Sequence, residues 1–198
     1  MSLKRGLLVF VLVALVLAAC GGDGGSDKGG TKGFYESAIS LNLPGGWEAE
    51  ANDVGRSNGQ IMLYSSKKAR EAKSADDLPN NAVFGSILFG PLYDFELEDG
   101  PEGALRSYLS VEGGLPDGVE FETLEINSNP AARFTTTEER NGLEAHSYYV
   151  SIFFDDTMRV YVLLYGFKGD ESTFDAMFEE FVNGLKVDTE KLAAQFDA

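Results

Sequence analysis

The segment from Ala131 to Phe167 constrains the fold more than any other part of this chain. It holds three long apolar-rich runs, Ala131 to Glu138, Glu144 to Phe154 and Met158 to Phe167, separated by the turn signals Arg140-Asn141-Gly142 and Asp155-Asp156. An Asn-Gly pair between alternating segments marks a tight hairpin, and aspartates suit a turn. In the last run Met158, Val160, Val162 and Leu164 share one face, and Tyr161, Leu163 and Tyr165 share the other. Side chains alternate across a strand, so apolar residues in both sets require both faces to be covered. The chain therefore needs layers above and below its sheet.

The flanking pattern supplies more strands and the covering helices. Ala38 to Leu43 reads as a strand closed by Pro44-Gly45-Gly46, and Trp47 opens another through Ala51. Gln60 to Ser65 and Ala82 to Leu92 are further apolar runs. A helix is expected from about Pro101, after Asp99-Gly100, with Leu105, Tyr108 and Leu109 as its stripe and Gly113-Gly114 and Pro116 as its end. The final helix is the clearest: Phe174, Met177, Phe178, Phe181, Val182 and Leu185 fall at i, i+3, i+4, i+7 spacing. Ser172 and Asp175 fit a capping box, and core packing accounts for the Phe/Met stripe.

The order of these signals resembles the Mog1/PsbP-like family. Leu43-Pro44-Gly45-Gly46-Trp47 is similar to the family's opening strand and turn, and Phe178 to Val187 is similar to its closing helix and strand. Pro130-Ala131-Ala132-Arg133, followed by paired long strands with Tyr161 to Tyr165 in the second, resembles its central meander. The resemblance spans about Tyr35 to Val187. It implies an α+β fold, an antiparallel sheet sandwiched between helices, and an accessory or binding role without catalysis. No motif of any one branch of the family matches, so the resemblance assigns no site residue.

The N-terminus reads as an export and anchoring signal. Lys4 and Arg5 precede Gly6 to Ala19, a charge-free run shorter than the ~20 residues a stable membrane span needs. Leu17-Ala18-Ala19-Cys20 resembles a bacterial lipobox, which implies lipidation of Cys20 and cleavage before it. Cys20 is the only cysteine, so no disulfide forms within the chain. Residues 1–19 are thus expected as signal peptide, 20–33 as lipidated cysteine and Gly-rich tether, 34–187 as the folded domain and 188–198 as a C-terminal tail. Gly21 to Gly33 would span roughly 20 Å as a flexible coil. The expected location is the extracytoplasmic side of the cell membrane or outer membrane.

Charge narrows the partners. The chain carries 32 acids against 16 Lys and Arg, net −16, and loses two bases and no acid with the signal segment. Such a surface repels nucleic acid and anionic head groups, so attachment falls to lipid. Against that balance Lys67, Lys68, Arg70 and Lys73 cluster within seven positions and form a candidate patch for an acidic envelope protein or polymer.

Few residues suggest catalysis or cofactors. His146 is the only histidine and alternates with Tyr148, Val150 and Ile152, which points to a half-buried structural role. One histidine and one modified cysteine exclude ordinary zinc and copper sites in a single chain. No Walker loop, Rossmann fingerprint, EF-hand loop or Gly-x-Ser-x-Gly elbow occurs, so no cofactor is expected. Asp94, Glu96, Glu98 and Asp99 form an acidic group that would suit Ca²⁺ or a general acid/base pair, but solvated surface accounts for it. Asp155-Asp156 needs only turn chemistry. The leading expectation is a non-catalytic, membrane-anchored envelope lipoprotein with a binding or accessory domain. The alternatives are a secreted carboxylate-dependent hydrolase and a small-ligand binder whose pocket is lined by Tyr148, Tyr149, Tyr161 and Tyr165.

Overall fold

The computed structural model describes residues 29–196 apart from 53, 56, 57, 113, 114, 116–118 and 141. The chain runs through β1 (Gly30–Phe34), β2 (Ile39–Leu43), β3 (Glu48–Ala51), β4 (Gly59–Tyr64), α1 (Lys67–Glu71), a 3-10 turn (Ala75–Asp77) and β5 (Ala82–Pro91). It continues with α2 (Asp94–Glu112), β6 (Glu122–Ile126), β7 (Asn129–Arg140), β8 (Leu143–Phe154), β9 (Met158–Phe167), α3 (Glu171–Asn183), β10 (Lys186–Val187) and α4 (Thr189–Phe196). The expected signal segment, Cys20, most of the tether, Gly113-Gly114, Pro116 and Asn141 lie outside the described residues.

Seven strands form the central sheet in the order β3-β4-β5-β9-β8-β7-β6, all antiparallel neighbours. The long meander predicted from Ala131 to Phe167 is its heart, with Tyr148 opposite Leu164 and Val150 opposite Val162. Its turns use the expected chemistry. Asp155 and Asp156 both adopt positive φ, 50° and 52°, and Thr157 donates its backbone N–H to the Phe154 carbonyl.

Both faces are covered, as the alternation of β9 requires. On one side Met158, Val160, Val162 and Leu164 join Tyr148, Val150 and Ile152 under Phe174, Phe178, Phe181 and Val182 of α3. A three-stranded sheet, β1-β2-β10, and Leu192 of α4 complete that layer. On the other side Tyr149, Phe153, Tyr161 and Leu163 pack under Ala104, Leu105 and Leu109 of α2. The result is an α+β fold, an antiparallel sheet between helical layers. Each large apolar side chain fully buried here contributes roughly 1.5–3 kcal/mol. Trp47, just past the Pro44 turn, stacks on Phe181 at 5.5 Å between ring centroids.

Several boundaries differ from the sequence expectation. The end of the expected tether, Gly30 to Gly33, is strand β1, paired residue by residue from Gly30 opposite Leu43 to Phe34 opposite Ile39. The expected tail forms α4, whose Leu192 is fully buried and whose Phe196 meets Phe89 edge-on at 6.1 Å. The first long helix begins at Asp94, not Pro101, and breaks at Gly100, where φ 68° and ψ −178° are open to glycine and Pro101 then restarts the helix. The capping box at Ser172 does not form. Asp170 is the N-cap without a side-chain bond, and Asp175 turns to His146 instead.

Candidate functional site

The face of the sheet under α2 has a second covered region at one end. There Ala69 of α1 and Leu78, just after the 3-10 turn, pack on Ala82, Ala145 and Phe167. Tyr165 borders both packed regions. At this junction the surface opens into a cleft of about 540 Å³, within the size range of small-molecule sites. Register builds its floor. Phe84 of β5 lies opposite Tyr165 of β9, and Phe167 follows two residues on, so all three point to the same side. The Phe84 and Phe167 rings meet edge-on at 5.9 Å. Leu78 and Leu143 add aliphatic walls, and Lys73 and Arg140 supply the charge.

Arg140 is held in place by a polar network. It is the last residue of β7, directly opposite Leu143 across the hairpin. Its guanidinium carbon lies 4.1 Å from the Tyr165 ring centroid, a cation–π distance. Its Nε donates to Glu138 Oε1 at 2.9 Å, and its Nη2 donates to the Tyr149 hydroxyl at 2.8 Å. The same Glu138 oxygen accepts from Ser147 Oγ and from the Tyr149 hydroxyl, both at 2.6 Å. Among the described residues the Arg140 Nη1 group has no hydrogen-bond partner.

These contacts set the protonation states. Burial alone would raise the Glu138 carboxyl, but the bonds from Ser147, Tyr149 and Arg140 reverse that and hold it below its ordinary value. Burial, reinforced by the hydrogen bond to Glu138, pushes the Tyr149 hydroxyl well above its usual range. Near neutral pH the network is therefore a carboxylate, a neutral phenol and a guanidinium. It serves to fix Arg140 and has no proton poised for transfer.

A second, more open depression of about 730 Å³ adjoins the cleft through Ala72 and Lys73. It gathers three members of the predicted basic patch, Lys67, Lys68 and Lys73, but interleaves them with Glu71, Asp76 and Asp77. Lys67 Nζ lies 3.8 Å from Glu71. The hydrogen bond from Ser74 lowers the Asp77 carboxyl. The fourth member, Arg70, is drawn off to Glu48, at 3.2 Å, and to Glu50.

The other candidates resolve into structural roles. His146 is buried; its Nε2 lies 2.8 Å from Asp175 and its Nδ1 3.6 Å from Glu171, and its ring lies beside those of Phe174 and Phe178, 6.3 Å from each. Of the acidic group, Asp94, Glu98 and Asp99 are exposed, but Glu96 is not solvated surface. It is buried, accepts from Arg159 Nη1 at 2.6 Å, and accepts from the Tyr161 hydroxyl at 3.3 Å. Asp155 does more than turn the chain, because its Oδ2 accepts from Thr189 Oγ1 at 2.9 Å and anchors the start of α4. The four tyrosines do not share a pocket. Tyr148 packs under α3, whereas Tyr149, Tyr161 and Tyr165 lie on the opposite face. Among the described residues no three His, Cys, Asp or Glu side chains gather to hold a metal ion. No helix among them is long and apolar enough to cross a membrane.

In the sequence Arg140 is visible only as part of the turn signal Arg140-Asn141-Gly142. Its partners Glu138, Ser147 and Tyr149 alternate on two adjacent strands, which is a legible pattern only once the hairpin register is known.

No protein-family model and no curated protein matches the chain. Similar solved structures include a crystal structure from Bacteroides thetaiotaomicron, at 13% identity and a TM-score of 0.48 over 81% of this chain. This chain spans only 49% of that protein's length. A cyanobacterial PsbP from Synechocystis sp. PCC 6803 is similar at 12% identity and a TM-score of 0.46, covering 85% of this chain and 97% of its own. The Saccharomyces cerevisiae Ran-binding protein Mog1p is similar at 16% identity and a TM-score of 0.49, covering 84% and 99%. PsbP and Mog1p give their names to the family that the sequence resembles. With scores below 0.5, the fold assignment rests on the strand order and layers described above.

Proposed function

We propose that this protein is a lipid-anchored binding module on the extracytoplasmic side of a membrane, held by Cys20 and using the cleft beside α1 to engage another envelope component. The observation that carries the binding role is Arg140, fixed over Tyr165 by Glu138 and Tyr149 at the edge of an aromatic-floored cleft. Immobilising a charged group before its ligand arrives reduces the entropy lost on binding. The one carboxylate in that network already accepts three donors, which favours holding a ligand over acid/base turnover. The anchoring part of the reading rests on the basic start, the short apolar run and the small residues before Cys20.

Two measurements on the full chain in a lipoprotein-processing bacterial host test the two halves. Radiolabelled fatty acid should enter the wild-type protein and not Cys20→Ser, and the variant should leave the membrane fraction. Equal membrane retention of Cys20→Ser removes the anchor. A photo-crosslinking residue at Leu143 should trap an envelope component, and Arg140→Gln introduced with it should abolish the adduct. An adduct indifferent to Arg140 removes the cleft as the binding surface.

A further inference from the structure

The composition of the cleft points to the chemistry of its ligand. The chain has twice as many acids as bases. Yet the described residues lining this cleft include two cations, Lys73 and Arg140, and no carboxylate. The adjoining depression has mixed charge, with Glu71, Asp76 and Asp77 beside its lysines. Of these two depressions, the one that has the inverted charge is the one that has the aromatic floor.

Arg140 is already half committed. Its Nε and Nη2 are used inside the network, which leaves Nη1 to offer an anion a charge-assisted hydrogen bond. Lys73 is exposed and supplies a second, mobile positive charge at the cavity. Glu138 offsets part of the guanidinium charge, so the site suits one negative charge and not several. The rest of the lining is apolar or small: Phe84, Phe167, Leu78 and Leu143 among others. A bare inorganic anion would leave these surfaces wet and unused.

We infer that the cleft binds an apolar, preferentially aromatic group carrying a single carboxylate. This rests on the binding role proposed above and narrows it to a ligand class. Two sources supply that chemistry, the C-terminus of a polypeptide ending in a large apolar residue and a free aryl-alkyl carboxylic acid. Both bring a ring to the Phe84–Tyr165–Phe167 floor and a carboxylate to Arg140 Nη1 and Lys73.

The test is calorimetric titration of the full-length protein, purified in detergent, with four probes. N-acetylphenylalanine, phenylacetate and a tripeptide ending in phenylalanine should bind, and N-acetylphenylalanine amide should bind roughly ten- to hundredfold more weakly, the loss of one charge-assisted hydrogen bond. Arg140→Gln should weaken the acids and leave the amide unchanged. Lys73→Glu, at an exposed position outside the network, should weaken the acids without altering thermal unfolding. Tighter binding of the tripeptide than of phenylacetate assigns the peptide source, and the reverse assigns the free acid; either ranking supports the class. Equal affinity for acid and amide overturns it, as does no binding by any probe. If no probe binds while the Leu143 crosslink still depends on Arg140, the ligand class falls and the binding role stands.

Discussion

Phe174 lies flat against the backbone of Gly166: a β-carbon placed on that glycine would sit 2.5 Å from the ring of the α3 phenylalanine. Neither atom set can yield, because the ring is fully buried beneath α3 and the glycine is a strand residue between Ser65's neighbour Val83 and His146 in the ladder. Gly166→Ala is therefore expected to cost about 1–3 kcal/mol through overpacking, read as a drop of several degrees in Tm by near-ultraviolet circular dichroism. Adding Phe174→Leu should recover part of the loss. A Gly166→Ala protein that melts like the wild type shows that α3 stands further from the sheet.

Glu96 and Arg159 form an ion pair that is largely removed from water, with side chains 9% and 16% exposed. Arg159 also donates to the Pro91 carbonyl and lies 4.9 Å over the Tyr93 ring. Removing one partner strands the other, so Glu96→Ala should destabilise by about 3–5 kcal/mol in urea unfolding. Replacing both, Glu96→Leu with Arg159→Met, should cost clearly less than Glu96→Ala alone. Equal losses would show the pair to be solvated.

Glu138 predicts a pH dependence. Its carboxyl is lower in the folded protein than its ordinary value of 4.5, so the folded state favours the ionised form. That contribution is complete above the unfolded value and is lost as pH falls through the folded one. Glu138→Gln should therefore flatten the dependence of stability on pH between about 5 and 3, measured by denaturant titration at each pH. An unchanged slope means the three donors do not act on this carboxylate.

Three successive non-glycine residues in the β1–β2 turn are left-handed: Tyr35, Glu36 and Ser37, with φ of 51°, 55° and 65°. Tyr35 is held there by its hydroxyl, which lies within hydrogen-bond distance of the Asn52 and Gln60 carbonyls and donates to either one, but Glu36 is exposed. The left-handed conformation costs roughly 1–2 kcal/mol for a residue with a β-carbon, and glycine gives back part of that as unfolded-state entropy. Glu36→Gly should raise Tm by a few degrees. A lower Tm would place that turn elsewhere in the Ramachandran map.

The elements that announce themselves in the sequence are those whose side chains are sorted by a regular period. β8, β9 and α3 have long apolar runs at spacing 2 or 3.6, and their faces come out as read, including the two-sided burial of Met158 to Tyr165. β1 had no such pattern. Gly30-Thr31-Lys32-Gly33-Phe34 is polar and glycine-rich, and its order comes from ladder bonds to β2 and from the Lys32 ammonium donating to the Ala49 carbonyl. α4 was hidden for a related reason, since Leu192 and Phe196 are only one turn of stripe. The burial of Glu96 and the role of Arg140 depend on residues far along the chain, Arg159 and Tyr165, and distance in sequence conceals such pairs until the strand register is known.

The small sheet places β2 between β1, which precedes it directly, and β10, which is near the other end of the chain. During synthesis β2 can pair on one side at once, but its second edge stays open until Lys186 and Val187 leave the ribosome. Only then can Leu192 and Phe196 of α4 seal the hydrophobic layer. Early folding on a nascent chain is disfavoured by this long-range closure. The hydrophobic layer on the α3 side of the sheet thus stays incomplete on a nascent chain until residues 186–196 have emerged.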